Sequence, residues 1–427
     1  MKILLWGINY RPESTGIAPF NAELAEYFAR RDAEISVVTG FAYYPLWRKA
    51  PGDRWRLFRR EQINGVEVHR CGQFVPARVS TVTRILHELS FGLTSLLRVL
   101  LLPRADLYLV VSPPLCLGFF AWIATRLKRS RFIFHVQDLQ PGAAVGLGMV
   151  KSRGFIRLLY ALERFAYRHA AAVSGISDGM MDEFRRKGVP ARRRIYFPNW
   201  LRGGPSGAAE ANDFRARFGL PADHLLAVYS GNLGRKQGIE ILLSAAERLA
   251  RDPATAARPV TVVIAGAGAE RAALEARVNA LNLPQLRLLP LLSDEDYAAM
   301  LQTADLGLIT QAPGTGRYFF PSKLLSLLQA GLPVATVADA DSELARAVEE
   351  GGFGINVLPG QPAELASVLG RLAADRGALE RLRERTVWVR RFDAARVLPQ
   401  FAHNLEQIVT GREPTPALVG QHEPSRL

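Results

Sequence analysis

Tyr229-Ser-Gly-Asn-Leu-Gly-Arg-Lys-Gln-Gly238 decides how the chain is read. It follows the apolar run 225–229, which predicts a buried strand, and precedes 239–250, whose apolar residues recur at helical spacing. Three glycines, Gly231, Gly234 and Gly238, fall in this strand-to-helix turn. Glycine lets backbone approach a ligand closely and adopt positive φ. A helix starting there directs free N–H groups and the positive end of its dipole into the turn. Arg235 and Lys236 add side-chain charge. Such a turn suits a diphosphate, and the same glycines would also serve an ordinary βα connection.

A chain of 427 residues is long for one core and comfortable for two domains. Hydrophobic residues make up 48% and charged residues 22%, a globular rather than disordered balance. The two cysteines, Cys71 and Cys116, lie far apart without metal-like spacing, so the chain reads as cytosolic with no disulfide scaffold. The opening Met1-Lys-Ile-Leu-Leu-Trp-Gly7 is too short for a signal peptide and leads into a first strand. Charge is uneven. Residues 1–200 hold 30 Lys+Arg against 15 Asp+Glu (+15), and residues 201–427 hold 24 against 25 (−1). The basic half is expected to meet something anionic: lipid headgroups, nucleic acid or a phosphorylated acceptor.

Outward from the glycine turn, both halves predict alternating strands and helices. Residues 2–6 and 35–39 read as strands around a helix at 20–31. The loop Asn9-Tyr-Arg-Pro-Glu-Ser-Thr-Gly16 sits at the carboxyl end of the first strand, where doubly wound folds bind ligands. Thr15 and Gly16 could let an anion approach, or merely start the helix. Residues 41–60 interleave Tyr43, Tyr44, Trp47, Trp55 and Phe58 with Arg48, Lys49, Arg54, Arg56, Arg59 and Arg60. That mixture suits a nucleic-acid strand, a membrane interface, or a long loop with buried aromatics. Residues 85–102 predict a strongly apolar helix that His87, Glu88 and Arg98 disqualify as a membrane span. Residues 107–125 carry no charge, but Ser112-Pro-Pro114 splits them into a strand and a helix. The basic end Thr125-Arg-Leu-Lys-Arg129 could touch a bilayer surface.

A strand at 131–136 ends at Gln137-Asp138, placing an acid at a strand's carboxyl end. Asp138 could orient an acceptor or receive its proton, or cap the next turn. His135 reads as a satisfied core histidine. The turn-rich run 201–212 is the best linker. Beyond it, strands are expected at 225–229, 260–265, 287–289, 306–309, 333–337 and 354–357, then one long helix over 379–409 and a disordered end at 413–427. Two α/β halves joined once imply a cleft between domains.

Six motifs then match a family: Gly7-Ile-Asn-Tyr-Arg-Pro-Glu-Ser-Thr-Gly16, His135-Val-Gln-Asp-Leu-Gln-Pro141, Phe197-Pro-Asn-Trp200, the turn 229–238, Ile264-Ala-Gly-Ala-Gly268, and Pro321-Ser-Lys-Leu-Leu-Ser-Leu-Leu-Gln-Ala-Gly-Leu-Pro-Val334. In order and spacing the chain, to about residue 411, resembles the GT-B glycosyltransferases of family 4, and most the colanic-acid-type exopolysaccharide enzymes. The resemblance implies two doubly wound Rossmann-like domains facing across a cleft. An acceptor domain would span 1–200 and a nucleotide-sugar domain 201–378; a helix at 379–411 could cross back, and a tail would follow at 412–427. It also implies sugar transfer with retention and without a metal or cofactor. The donor would be a GDP- or UDP-linked hexose or deoxyhexose, with GDP-fucose suggested by the closest resemblance. The acceptor would be a lipid-linked or growing polysaccharide at the anionic inner face of the cytoplasmic membrane.

Departure of a nucleoside diphosphate leaves negative charge on its β-phosphate, which fixed cations can stabilise. Arg235 and Lys323 are expected in that role, with Asp138 as the acid on the acceptor side. The resemblance places Gly231, Asn232, Gly234, Lys236, Gln237, Gly266, Ser322 and Leu324 around the donor. Two departures stand out. Gln237 occupies a position where many relatives have lysine. The family's two glutamates eight residues apart fall on Tyr318 and Ser326, so Gly314-Thr-Gly-Arg317 could contact the sugar instead. Asp339-Ala-Asp341 has metal-binding spacing but reads as a loop and helix cap. Gly266-Ala-Gly268 lacks the third glycine of a dinucleotide fingerprint, which falls on Arg271. A sugar-nucleotide epimerase of the same fold would need acids where Tyr318 and Ser326 stand. A nucleic-acid-binding protein would leave the glycine turn and Lys323 unexplained.

Overall fold

The computed structural model describes residues 1–14, 16–31, 33–142, 152–202, 211–252, 259–316 and 323–414. The chain divides into two compact units, Met1–Asn199 with Ala395–Leu427, and Trp200–Ala394.

The first unit is built on an eight-stranded sheet ordered β3-β4-β2-β1-β5-β6-β7-β8. Its strands are β1 (Lys2–Trp6), β2 (Glu34–Gly40), β3 (Phe58–Ile63), β4 (Val66–Cys71), β5 (Leu107–Ser112), β6 (Arg131–Val136), β7 (Ala172–Gly175) and β8 (Arg194–Tyr196). All neighbouring pairs are parallel except β3–β4. Every residue of β5 is buried, as a central strand covered on both faces requires. Helices α1 (Ala18–Ala29), α2 (Thr81–Leu101) and α3 (Leu117–Lys128) follow β1, β4 and β5. The order turns back between β1 and β5, so loop Asn9–Gly16 sits at the switch point of this sheet.

The second unit has six parallel strands ordered β11-β10-β9-β12-β13-β14. They are β9 (Leu225–Asn232), β10 (Val260–Ala267), β11 (Leu286–Leu289), β12 (Leu306–Thr310), β13 (Val334–Val337) and β14 (Gly354–Val357). Every strand expected in this half is present. The switch falls between β9 and β12, so the glycine turn that ends β9 lies at it.

Three expectations change. Residues 58–60 are not loop: β3 pairs antiparallel with β4 from Phe58↔Cys71 to Ile63↔Val66 around the Asn64–Gly65 turn. Asn64 and Gly65 both take positive φ (49° and 80°), which is the turn chemistry of a hairpin. The long terminal helix is three pieces: Arg376–Glu384, a 3₁₀ segment Arg385–Phe392, and Ala394–Val409. Val389 and Phe392 are buried in the second unit's core, with Trp388 packed beside Phe353 and Phe392. These side chains belong to the second unit, while the last helix from Ala395 belongs to the first. The chain therefore passes between the units twice, near residues 199–200 and 394–395, and not through a single linker. Most of the proposed linker, 203–210, lies outside the described residues, as does the tail from 415.

Helix Ala394–Val409 is held on the first unit by Phe401, whose ring stacks on Phe197 at 3.5 Å and 5°. Arg131 donates to the carbonyl of Ile408 at 2.7 Å. Phe401 is 1% exposed, so removing its ring leaves a cavity. Phe401→Ala is expected to cost about 3–4 kcal/mol in urea unfolding monitored by circular dichroism. An unchanged midpoint would show the helix is not part of this core.

Candidate functional site

The site in the second unit starts with close backbone packing. Strands β9 and β10 stay in register to their ends, Gly231 opposite Gly266 and Asn232 opposite Ala267. A Cβ on Gly266 would lie 1.9 Å from the carbonyl oxygen of Gly231, and one on Gly268 would lie 2.3 Å from that of Leu233. The motif Ile264-Ala-Gly-Ala-Gly268 is thus a packing device that lets two strand ends touch. Gly266 supports the turn from behind. After β9 the chain makes one 3₁₀ turn, Arg235–Gln237, before a helix begins at Glu240, later than the expected start at 239. Gly238 takes φ 58° and packs against the backbone of Ala312, and Ala312 N–H donates to the Lys236 carbonyl at 2.9 Å. The turn is therefore clipped to the segment after β12.

Lys323 opens helix Lys323–Gln329 and reaches over β9. Its Nζ sits 3.9 Å from the centroid of the Tyr229 ring, and a Cβ on Gly231 would come within 3.1 Å of it. Tyr229 is fully buried, and its hydroxyl donates to the Asn232 carbonyl at 2.9 Å. The ring face is fixed under the ammonium, a cation–π contact in a dry setting. Among the described residues, Lys323 Nζ is buried with no hydrogen-bond partner, and so are Gln237 Oε1 and Thr310 Oγ1 at the ends of the flanking elements. Buried polar atoms are almost always satisfied, so such a group marks a place where a ligand belongs. Burial, with the charge of Lys236 nearby, pulls the Lys323 ammonium from 10.5 down to about 7.

The other expected donor residues divide. The Arg235 side chain is 90% exposed and meets Glu270 at 3.4 Å, so it stands at the surface, apart from the Lys323 pocket. Asn232 is exposed beside it. Leu324, expected around the donor, has its side chain completely buried in the hydrophobic core, where it anchors the helix that carries Lys323. Gly234 lies against Gln237, whose Oε1 would be 3.2 Å from a Cβ there. Ser326 bonds Tyr297. Ser322, Arg317 and Tyr318 lie outside the described residues. Asp339 accepts from Gly314 N–H at 2.7 Å, the loop role expected, while the N-cap of the next helix is Ser342 and neither aspartate.

In the first unit, His135 is the satisfied core residue expected. Its ring nitrogens meet Ser174 Oγ at 2.9 Å and Gln137 Nε2 at 2.8 Å, and burial lowers it to about 3. Gln137 and Asn199 exchange two bonds of 3.1 and 3.2 Å, which ties His135-Val-Gln-Asp-Leu-Gln-Pro141 to Phe197-Pro-Asn-Trp200. Asp138 follows β6, half-buried, with its carbonyl accepting from Gln140 N–H at 2.9 Å. Gly16 takes φ 68° with the Tyr44 ring 3.8 Å from where a Cβ would lie; Thr15 is outside the described residues.

Sequence reasoning missed Glu13. It is buried, accepts from Tyr43 N–H and Tyr44 N–H (2.9 Å each) and from Asn9 Nδ2 (2.9 Å), and burial raises its pKa. It joins the two loops at the sheet's switch point. The only sequence signal was a single acid in the turn, two residues after Arg11, and that does not reveal partners thirty residues away. Tyr229 was read as the last strand residue, not as the platform under Lys323.

Two doubly wound units, with a buried unpaired cation at the second sheet's switch point, define the GT-B class of sugar-transferring proteins. The comparisons agree. The glycosyl transferase 4-like domain matches residues 15–200, and the glycosyl transferases group 1 domain matches residues 210–387. Over 419 residues the chain is 33% identical to WcaI of Escherichia coli (strain K12), assigned as a colanic acid biosynthesis glycosyl transferase; the match covers 95% of this chain and 100% of that one. The fold is shared with sucrose-phosphate synthase of Thermosynechococcus elongatus (TM-score 0.73, 17% identity, 96% and 99% of the two chains). It is also shared with HepE of Anabaena (TM-score 0.69, 18% identity, 95% and 100%). The chain belongs to the family 4 glycosyltransferases with the GT-B fold.

Lys323 separates stability from binding. Its folded-state pKa lies below the unfolded one, so the unfolded chain holds more protons between them, and this group's contribution to stability rises with pH from about 7 to 10. Lys323→Met is expected to raise the melting temperature of the ligand-free protein at pH 7 by about 2–4 °C and to abolish stabilisation by UDP or GDP. A lower melting temperature would contradict the buried, unpaired ammonium. Nucleoside diphosphate affinity, measured by calorimetry between pH 6 and 8.5, is expected to fall above pH 7 by up to about tenfold per unit. A profile as flat as that of Lys323→Met would exclude this lysine as the anion's partner.

Proposed function

We propose that this glycosyltransferase moves a sugar from a nucleoside diphosphate donor to a lipid-linked or growing polysaccharide acceptor in exopolysaccharide biosynthesis. The observation that carries the donor half is Lys323 Nζ, buried without a described partner beside Gly231. An ammonium held there over a tyrosine face meets the β-phosphate without reorganisation. It stabilises the charge that develops as the glycosidic C–O bond breaks. Arg235, on the exposed side of the same turn, adds a second cation once it exchanges Glu270 for phosphate. To Ser322, next to Lys323 in sequence, we assign a hydroxyl contact with the donor, and Gly231, Gly234 and Gln237 shape the wall. With these fixed cations the reading is metal-independent transfer with retention, which needs no further cofactor.

On the acceptor side, Asp138 stands at the carboxyl end of β6, where it orients the acceptor hydroxyl or takes its proton. We assign the acceptor's approach to Gly16 and Thr15 of the same sequence motif. The polysaccharide context is supported by the full-length similarity to WcaI. UDP is the first nucleotide to test, because HepE is solved with UDP and with UDP-glucose, and GDP stands beside it. The basic first half supports work at the anionic inner face of the cytoplasmic membrane; among the described residues no helix is long and apolar enough to cross it.

The test is incubation with labelled UDP- and GDP-sugars and a membrane extract, followed by extraction of the lipid fraction. Transfer from one donor is expected. Lys323→Ala and Arg235→Ala are each expected to lower kcat by roughly a hundredfold, about 3 kcal/mol of barrier. Full activity in both variants would sink the phosphate-clamp reading.

A further inference from the structure

Helix α2 is inside out. Its outward side carries Val82, Leu86, Leu89, Leu93, Leu97 and Leu101, spaced three or four apart, and all six are exposed. Its inward side carries His87, Phe91, Gly92, Ser95 and Val99, all buried. A helix of a globular domain normally faces its leucines to the core and its small or polar residues to water. Here Gly92 lets the helix settle onto α3, since a Cβ there would lie 2.2 Å from the Phe120 ring. Phe119 and Leu127 of α3 are exposed as well. Val82 is 66% and Leu93 60% exposed, so the stripe is not a core edge glimpsed between neighbours. At 1.5 Å per residue the 21-residue helix offers an apolar strip about 30 Å long. Contiguous apolar surface of that extent marks an interaction site.

We propose that the outward face of α2 docks in the plane of an anionic lipid bilayer. The inference rests on the membrane-side reading above and names the surface that serves it. Charge selects the occupant. No ionised residue lies on the leucine stripe; Glu88 sits to its flank, paired with Arg84 at 3.3 Å and accepting from Gln140 at 3.2 Å. Around the stripe the charge is basic: residues 78–131 contain 8 Lys+Arg against 2 Asp+Glu. Arg78, Arg84 and Arg104 are exposed near the two ends of α2, and Arg126 and Arg129 near the end of α3. An apolar strip bordered by arginines fits acyl chains bordered by anionic headgroups. A second copy of the chain on the same face would set these like charges against one another. The helix lies on the membrane and does not span it.

The test is flotation of the full chain with phosphatidylcholine vesicles, with and without phosphatidylglycerol, beside nucleotide-induced thermal stabilisation and sedimentation. The wild type is expected to float with the anionic vesicles and poorly with the neutral ones. Leu93→Glu/Leu97→Glu, and the milder Leu93→Ser/Leu97→Ser, are expected to lower partitioning by at least about tenfold while keeping the wild-type melting temperature and nucleotide response. If both variants float like the wild type, the α2 face is not the dock, though membrane binding stands. A wild type that ignores both vesicles overturns the proposal and the membrane-side reading together; transfer to a soluble acceptor then judges the glycosyltransferase reading by itself. A wild-type dimer that the variants dissociate, without vesicle binding, assigns the face to a second copy and also overturns the proposal.

Discussion

The buried ammonium of Lys323 over the Tyr229 ring sets the terms for the second unit. A cation held out of water is unfavourable unless something offsets it. The ring face offsets part of the penalty, and an anionic ligand would offset the rest. Holding the cation there constrains the backbone around it. Gly231 takes φ 141°, which strains any side chain, and a Cβ there would come within 3.1 Å of Nζ. Gly266 and Gly268 let β10 press its end against β9 and Leu233. Leu324 and its neighbours in the core hold the lysine's helix in place. Motifs that look separate in sequence are thus parts of one packed arrangement around Nζ.

The first unit solves a different problem with the same topology. Its switch point buries a cation too, but a paired one: Arg70 donates to Glu61 and to the carbonyls of Gly40 and Arg11. A buried carboxylate, Glu13, joins two loops, and reciprocal amide bonds between Gln137 and Asn199 join two strand ends. Those bonds make the carboxyl edge of the sheet stiff, with Asp138 carried at its end. The returning C-terminal helix seals this unit through Phe401 on Phe197, so residues just over two hundred apart form one core contact.

Charge and apolar surface are arranged in one place. The excess of arginine in the first half surrounds a helix whose leucines point outward. That orientation is set by Gly92 and Ser95, which allow close approach to α3, and by His87 and Thr94, which bond the carbonyls of Phe74 and Gly72. A helix chosen only for stability would have them the other way round.

The strands, the doubly wound class and the family could be read from the sequence, because buried parallel strands are continuous apolar runs and glycine turns punctuate them at fixed places. The six strands around the glycine turn were legible for that reason, as was His135 as a core residue. What the chain order cannot show is which side of an apolar helix faces water. Residues 85–102 read simply as apolar, and only the packed neighbours of α2 reveal that the leucines are outside. In the same way, Lys323 and Tyr229 lie far apart in sequence, and the terminal helix reads as continuous until Val389 and Phe392 find the second unit's core. Periodicity reports local backbone geometry. Burial, pairing and a shifted pKa depend on residues that meet only when the chain is folded.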